Sequence, residues 1–190
     1  MQTQFKFFQT LPGVAVLTGL ILMIPLIAMQ FSPEVDWSAF DFLIMGLLLF
    51  STGAGFVLIT RQVSNMVYRA GMAGAVGTTF LMIWANIAVG LIGAGPHWGN
   101  FMYAGVVAVV LIGTYLSEFT AKGMERTMIA AAVSLVVLAA VALAAGMADY
   151  PASSTVEILA VNGFFFTLYF VSALLFRFVA LEQGKQKTGV

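Results

Sequence analysis

The chain has 190 residues, of which 61% are hydrophobic and only 8% are charged, and its formal net charge at pH 7 is zero. A mean hydropathy of +1.01 excludes a soluble globular domain, because water would face a largely apolar surface. The neutral charge and a membrane location exclude nucleic acid as a partner, and the lack of cysteine excludes disulfides and thiolate metal sites.

Six apolar stretches are about long enough to cross a bilayer as helices, which takes roughly 20 residues each. In chain order they are 11–31, 38–60, 71–94, 101–119, 127–148 and 156–180. None alternates apolar and polar residues over about ten positions, as a strand of a membrane β-barrel does. The sequence therefore predicts an all-α polytopic membrane helical bundle with six transmembrane helices, forming a single transmembrane domain over residues 1–190.

The basic residues all fall on one side of this predicted topology. They are Lys6, Arg61, Arg69, Lys122, Arg126, Arg177, Lys185 and Lys187. The loops on the other side contain four acidic residues and no Lys or Arg; the acids are Glu34, Asp36, Asp149 and Glu157. Because short loops rich in Lys and Arg stay in the cytoplasm, we expect both termini to be cytoplasmic.

The segment between spans two and three has two interpretations. Residues 60–71 read "TRQVSNMVYRAG" and place apolar side chains at helical spacing, flanked by Arg61 and Arg69. This pattern predicts either an interfacial amphipathic turn whose arginines pair with anionic headgroups, or a helical linker with snorkelling arginines.

Small residues predict where helices pack closely, since in lipid association relies on close approach of backbones. Span three has Gly71, Gly74 and Gly77 near one face. Span five has five alanines, whose small side chains allow another helix to approach it closely: Ala131, Ala132, Ala139, Ala142 and Ala145. We expect span five to be a central or tightly packed helix.

A threefold repeat is a further possibility at the starts of the even-numbered spans. The segments "DFLIMG" (41–46), "NFMYAG" (100–105) and "ILAVNG" (158–163) each reach a glycine at the sixth position. Each follows a loop that contains a proline, namely Pro33, Pro96 and Pro151. A true repeat would make the protein three consecutive helical hairpins of similar design.

Few polar side chains lie within the spans, and each raises a functional question because such groups are costly in a membrane. Glu118 and Arg177 fall near the cytoplasmic ends of spans four and six, where snorkelling or mutual pairing accounts for them. Asp41 lies near the outer end of span two, where it touches headgroups or caps the helix. Asn86 and Asn162 lie deeper, so both should face protein, in an interhelical hydrogen bond or a ligand site.

These residues and the loop after span three give the candidate site. A polar patch opening outward would contain Asp41, Trp84, Asn86, His97, Asn100 and Asn162. A single His without a nearby acidic or second His ligand makes a poor metal site, so His97 is interpreted as a ligand-binding or proton-transfer residue or as a solvated loop residue.

Three segments carry a resemblance to a family. "WANIAVGLIG", "NFMYAGVVAV" and "VNGFFFTLYFVSALLFR" resemble a family of small, uncharacterised bacterial multispan inner-membrane proteins. The resemblance covers roughly spans two to six and implies a bacterial inner-membrane location, but no activity. The family pattern has Asn-Pro in the loop where this chain reads Pro96-His97-Trp98, so His97 is a departure from it.

The inventory of side chains favours a protein that is not an enzyme and has no cofactor or metal. No span has an ionisable residue near its middle, and no bis-His haem arrangement, HExxH, Gly-x-Ser-x-Gly or phosphate loop is present. We therefore expect association, as a homo-oligomer or as an accessory subunit of an inner-membrane assembly. Phe165 and Tyr169 in the aromatic sixth span are candidate partner contacts. The alternative is a small channel or transporter whose outward vestibule uses the polar patch.

Overall fold

A computed structural model describes residues 10–61, 63–93, 95 and 97–188. Over these residues the chain forms six α-helices and two short 3-10 helices, with no β-strand. The α-helices are α1 (Leu11–Ala28), α2 (Ala39–Thr60), α3 (Met66–Ala88), α4 (Met102–Leu116), α5 (Ala121–Ala144) and α6 (Thr155–Thr188). Six helical segments, α4 together with the 3-10 turn before it, are long and apolar enough to span a membrane. The predicted six-helix, all-α membrane architecture is confirmed.

The chain divides into two compact units, Met1–Ser64 and Asn65–Val190. The predicted single transmembrane domain and the threefold repeat stay predictions. Lys6 and Pro96, which the orientation and the repeat drew on, lie outside the described residues.

The first unit is a helical hairpin of α1 and α2. Ser38 begins α2 with a capping box, in which its hydroxyl accepts from the Asp41 amide and the Asp41 carboxylate accepts from the Ser38 amide. The two helices are in close contact at Gly53, where a Cβ would lie 2.7 Å from Cγ1 of Val14. Few side chains of this unit are buried.

The second unit is a four-helix bundle in which α6 packs against α3 and α5, and α5 packs against α4. Gly71 and Gly74 lie at the α3–α6 contact, and a Cβ on Gly74 would collide with the Ser172 hydroxyl. Gly77 has open space beside it, so only part of the predicted glycine face is used. At the α4–α5 contact, a Cβ on Gly113 would lie 2.6 Å from Cγ2 of Thr127.

Helix α5 has the largest buried share of the six spans, 44% of its apolar stretch. Four of its five predicted packing alanines are buried, and Ala145 is exposed. The prediction of a tightly packed fifth span is therefore confirmed.

Several predicted boundaries are wrong, and at the starts of α3 and α5 the reason is that a polar cap, rather than hydropathy, decides where the helix begins. Helix α3 begins at Met66 instead of 71, capped by the Asn65 side chain. Residues 63–65 are not helical, so the helical-linker interpretation of residues 60–71 is wrong for those three residues. Helix α5 begins at Ala121 instead of 127, capped by Thr120. Helix α4 ends at Leu116, which leaves Glu118 in a turn.

That turn between α4 and α5 contains two consecutive residues in the left-handed region, Glu118 (φ 48°) and Phe119 (φ 56°). Non-glycine residues are rarely found there, because the Cβ crowds the backbone. The hydroxyl of Tyr68 on α3 donates to the Phe119 carbonyl at 2.6 Å and holds the turn in place.

Candidate functional site

The loop from α3 to α4 folds over the end of the second unit. After Ala88 the chain passes through Gly90, Gly93 and Gly95, with φ of +77°, +68° and +80°, a region that glycine adopts without steric cost. Leu91 and Ile92 lie beyond the end of the helix, but their side chains are buried in the protein interior. Residues 91–93 were predicted to continue span three, and the glycine conformations explain why they do not.

Asn100 organises this loop with its side-chain amide. Its Oδ1 accepts from the Leu91 and Ile92 amides, each at 2.9 Å, and its Nδ2 donates to the carbonyls of Ile92 at 3.2 Å and Gly95 at 3.3 Å. A Cβ on Gly90 would lie 2.9 Å from this Nδ2, so glycine is needed there for space as well as for its φ. Four main-chain groups of the loop are thereby paired with one side chain.

Asn86, in the last turn of α3, joins the same network. Its Nδ2 donates to the Asn100 carbonyl at 3.0 Å, whereas its buried Oδ1 has no hydrogen-bond partner. Asn86 faces protein, as predicted. Together with His97, Trp98, Asn100 and Phe101 it lines a cavity of about 600 Å³.

His97 precedes the 3-10 helix Trp98–Phe101 and accepts from the Gly99 amide through Nδ1 at 3.2 Å. Its ring stacks on Tyr150 with centroids 4.1 Å apart and planes tilted by 36°. Gly99 lies over the buried Met147, since a Cβ on Gly99 would be 2.9 Å from the sulfur. The two loops at this end of the bundle, residues 89–101 and 145–154, therefore contact each other through aromatic and sulfur groups.

Asn162 lies elsewhere in the second unit, on α6 facing α4. Its Nδ2 donates to the Tyr103 hydroxyl at 3.2 Å and to the Ile158 carbonyl at 2.8 Å, and its buried Oδ1 has no partner. The predicted interhelical hydrogen bond is present. Asn162 lines a different, almost entirely apolar cavity from the one that Asn86 lines.

The remaining members of the predicted patch do not extend the cavity. Asp41 belongs to the first unit, where it completes the capping box of α2. Trp84 lies on an exposed face of α3. The structure thus brings Asn86, His97 and Asn100 together on one cavity, and Asn162 lines another.

The partner-contact candidates Phe165 and Tyr169 require a correction. They are 3% and 0% exposed, and the Tyr169 hydroxyl lies 2.9 Å from the hydroxyl of Thr79 on α3. Both side chains belong to the core of the second unit because α6 is covered by α3 and α5 on that side. The aromatic residues of α6 that face outward include Phe164 and Phe170.

Among the described residues, no group of three or more His, Asp or Glu side chains is placed to hold a metal ion. Sequence reasoning missed Tyr150 and Gly90 as parts of the site. The signal for Gly90 was the spacing of three glycines in "VGLIGAG", which is typical of a turn and not of a continuing helix.

Comparison with known proteins gives no match to a protein-family model, a curated protein or a solved structure.

Proposed function

We propose that this chain is a non-enzymatic protein of a bacterial inner membrane that acts by association, as a homo-oligomer or as an accessory subunit of a larger assembly. The polar side chains best suited to bind a ligand have structural roles instead: Asn100 holds a loop, Asn162 joins two helices, and Asp41 caps a helix. Because of these structural roles, few polar side chains remain that could act in catalysis or in coupled transport.

The observation that carries the proposal is how little of α1 and α2 is covered. Only 17% and 11% of their apolar stretches are buried, against 44% for α5. Ile24 on α1 and Leu47 on α2 are about two-thirds exposed. Lipid can cover such side chains, but α1 and α2 have the smallest buried shares of the six spans, and their apolar side chains can equally contact another helix.

Cross-linking tests this proposal directly, because the chain has no cysteine and any introduced thiol is unique. We expect single-cysteine variants Ile24→Cys and Leu47→Cys to form disulfide-linked dimers in native membranes if the protein is a homo-oligomer. A photoreactive residue at position 24 would instead capture a different protein if the chain is an accessory subunit. Leu111→Cys on α4, similarly exposed, is the matched control. Capture of lipid alone at position 24, with no disulfide-linked dimer from position 24 or 47, would contradict association through the hairpin.

A second candidate function is a channel or transporter with an outward vestibule. It is favoured by the cavity of about 600 Å³ that Asn86, His97 and Asn100 line together. A membrane-impermeant thiol reagent applied from outside tests it on Asn86→Cys and Asn162→Cys. Modification of both would support a water-filled path that joins the two cavities, and modification of position 86 alone would limit the site to a surface pocket.

A further inference from the structure

The cavity of about 600 Å³ beside the loop from α3 to α4 has the size of a small-molecule site, since such sites range over roughly 300–1,000 Å³. Two aromatic side chains that line it, Trp98 and Phe101, are 58% and 80% exposed. Apolar surface of this kind is available to a ligand without any rearrangement of the bundle.

His97, which also lines the cavity, presents a hydrogen-bond donor of fixed identity. The Gly99 amide can only donate, so Nδ1 of His97, which accepts from it at 3.2 Å, has no proton, and the proton of the neutral ring lies on Nε2. Within the described part of the chain, Nε2 has no hydrogen-bond partner. The buried side-chain polar atoms that lack a partner there are Oδ1 of Asn86 and Asn162 and Oγ of Ser153, so Nε2 is accessible.

The other polar side chains of the cavity either donate as well or are already used. Nε1 of the exposed Trp98 indole can only donate. Asn100 uses both sides of its amide in four hydrogen bonds to the loop. Oδ1 of Asn86 is buried beyond the reach of a ligand. The side chains of the cavity therefore present donors to a ligand and no free, accessible acceptor.

Charge restricts the ligand further. The two loops at this end of the bundle, residues 89–101 and 145–154, contain Asp149 but no Lys or Arg. An anion would lack a cationic partner in these loops, and a cation would lack an accessible side-chain oxygen in the cavity. The ligand that fits is a neutral molecule with an apolar body and a polar group that only accepts, which is the chemistry of a carbonyl.

We infer that this cavity binds a neutral, lipid-soluble carbonyl compound, whose oxygen accepts from Nε2 of His97 and whose apolar body covers Trp98 and Phe101. A free ketone and the ester group of a membrane lipid share this chemistry. The site does not depend on association through the hairpin, because all its residues belong to the second unit. It also requires no path between the two cavities.

The first test uses the purified full-length chain in detergent, with 2-undecanone as the probe and undecane as a ligand of the same length without an acceptor. The ketone at saturating concentration should raise the thermal midpoint by about 3 °C, and undecane should raise it far less. Equal shifts from the two ligands, or no shift from the ketone, would overturn the proposal.

Nanodiscs separate the two sources of the carbonyl. Phosphatidylcholine with ester-linked chains supplies lipid carbonyls, whereas its ether-linked counterpart has none. A ketone shift in both lipids identifies a free carbonyl compound as the occupant, and a shift in the ether-linked lipid alone identifies the lipid ester. The absence of a shift in both lipids would contradict the site.

Two variants tie the effect to the cavity. His97→Asn keeps a side-chain acceptor for the Gly99 amide, since Asn is a favoured cap, but it lacks Nε2. Phe101→Ala removes an exposed wall and should fold. The ketone shift should fall below about 1 °C in both variants. Trp84→Phe, on an exposed aromatic residue outside the cavity, is the control and should keep the full shift. A full shift in either cavity variant would place the ketone elsewhere and contradict the assignment.

Discussion

Asn100 and Ile92 are joined by two hydrogen bonds, because the Asn100 amide accepts from the Ile92 N–H at 2.9 Å and donates to the Ile92 carbonyl at 3.2 Å. Both residues are buried. The Asn100 side chain thus supplies both a donor and an acceptor to the main chain of Ile92. This pairing allows the non-helical segment to be buried at the end of the bundle.

The first prediction concerns this pair. Asn100→Ala should lower the free energy of unfolding by about 2–3 kcal/mol, since buried main-chain groups of residues 91 and 92 lose their partners. Denaturant titration of the protein in mixed micelles measures it. Phe101→Ala, at the exposed neighbouring position, should change the stability by less than about 0.5 kcal/mol. Equal effects from the two variants would show that the Asn100 bonds do not hold the loop.

The second prediction compares two glycines one helical turn apart on α3. Gly74→Val should destabilise the protein by about 1–3 kcal/mol, because a side chain there meets the Ser172 hydroxyl, which is held by the Leu168 carbonyl. Gly77→Val has no neighbour within 4 Å of its Cβ and should be close to neutral. Thermal unfolding of both variants in the same detergent checks the difference. A larger loss for Gly77→Val would contradict the described α3–α6 contact.

The third prediction concerns the turn between α4 and α5. Tyr68→Phe removes only the hydroxyl that donates to the Phe119 carbonyl, and should cost about 1 kcal/mol of stability. Hydrogen exchange at residues 117–120 should become faster, because the lost hydrogen bond joins this turn to α3. Tyr115→Phe, at an exposed position on α4, is the control. Unchanged exchange in Tyr68→Phe would mean that the turn is stable without the bond.

The fourth prediction is the orientation in the membrane. We expect both termini to be cytoplasmic, because the basic residues fall on one side of the sequence-derived topology. Reporter fusions at Lys187 and within the 32–37 loop should therefore report opposite sides. Activity of both reporters on the same side would contradict the orientation.

The six spans were predictable because hydropathy over about 20 residues is a strong local signal. The inward orientation of Asn86 and Asn162 was predictable as well, since an isolated amide in an apolar helix needs a partner. The two separate cavities that these residues line were not predictable. One depends on how the loop after α3 folds, and the other on how α5 packs against α6.

The burial of Phe165 and Tyr169 shows a different limit. Aromatic residues surround α6, so no periodic pattern marks which face meets α3 and which meets the surroundings. Likewise, nothing local identifies Asn100 as the partner of Leu91 and Ile92, because its four hydrogen bonds form only once the glycine loop has folded.

The most direct test of association is the mass of the particle extracted with its surrounding lipid from the native membrane, measured by native mass spectrometry. The proposal predicts either a multiple of the 20.3 kDa chain or one chain together with a second protein in fixed ratio. A particle that contains a single chain and lipid alone would contradict it.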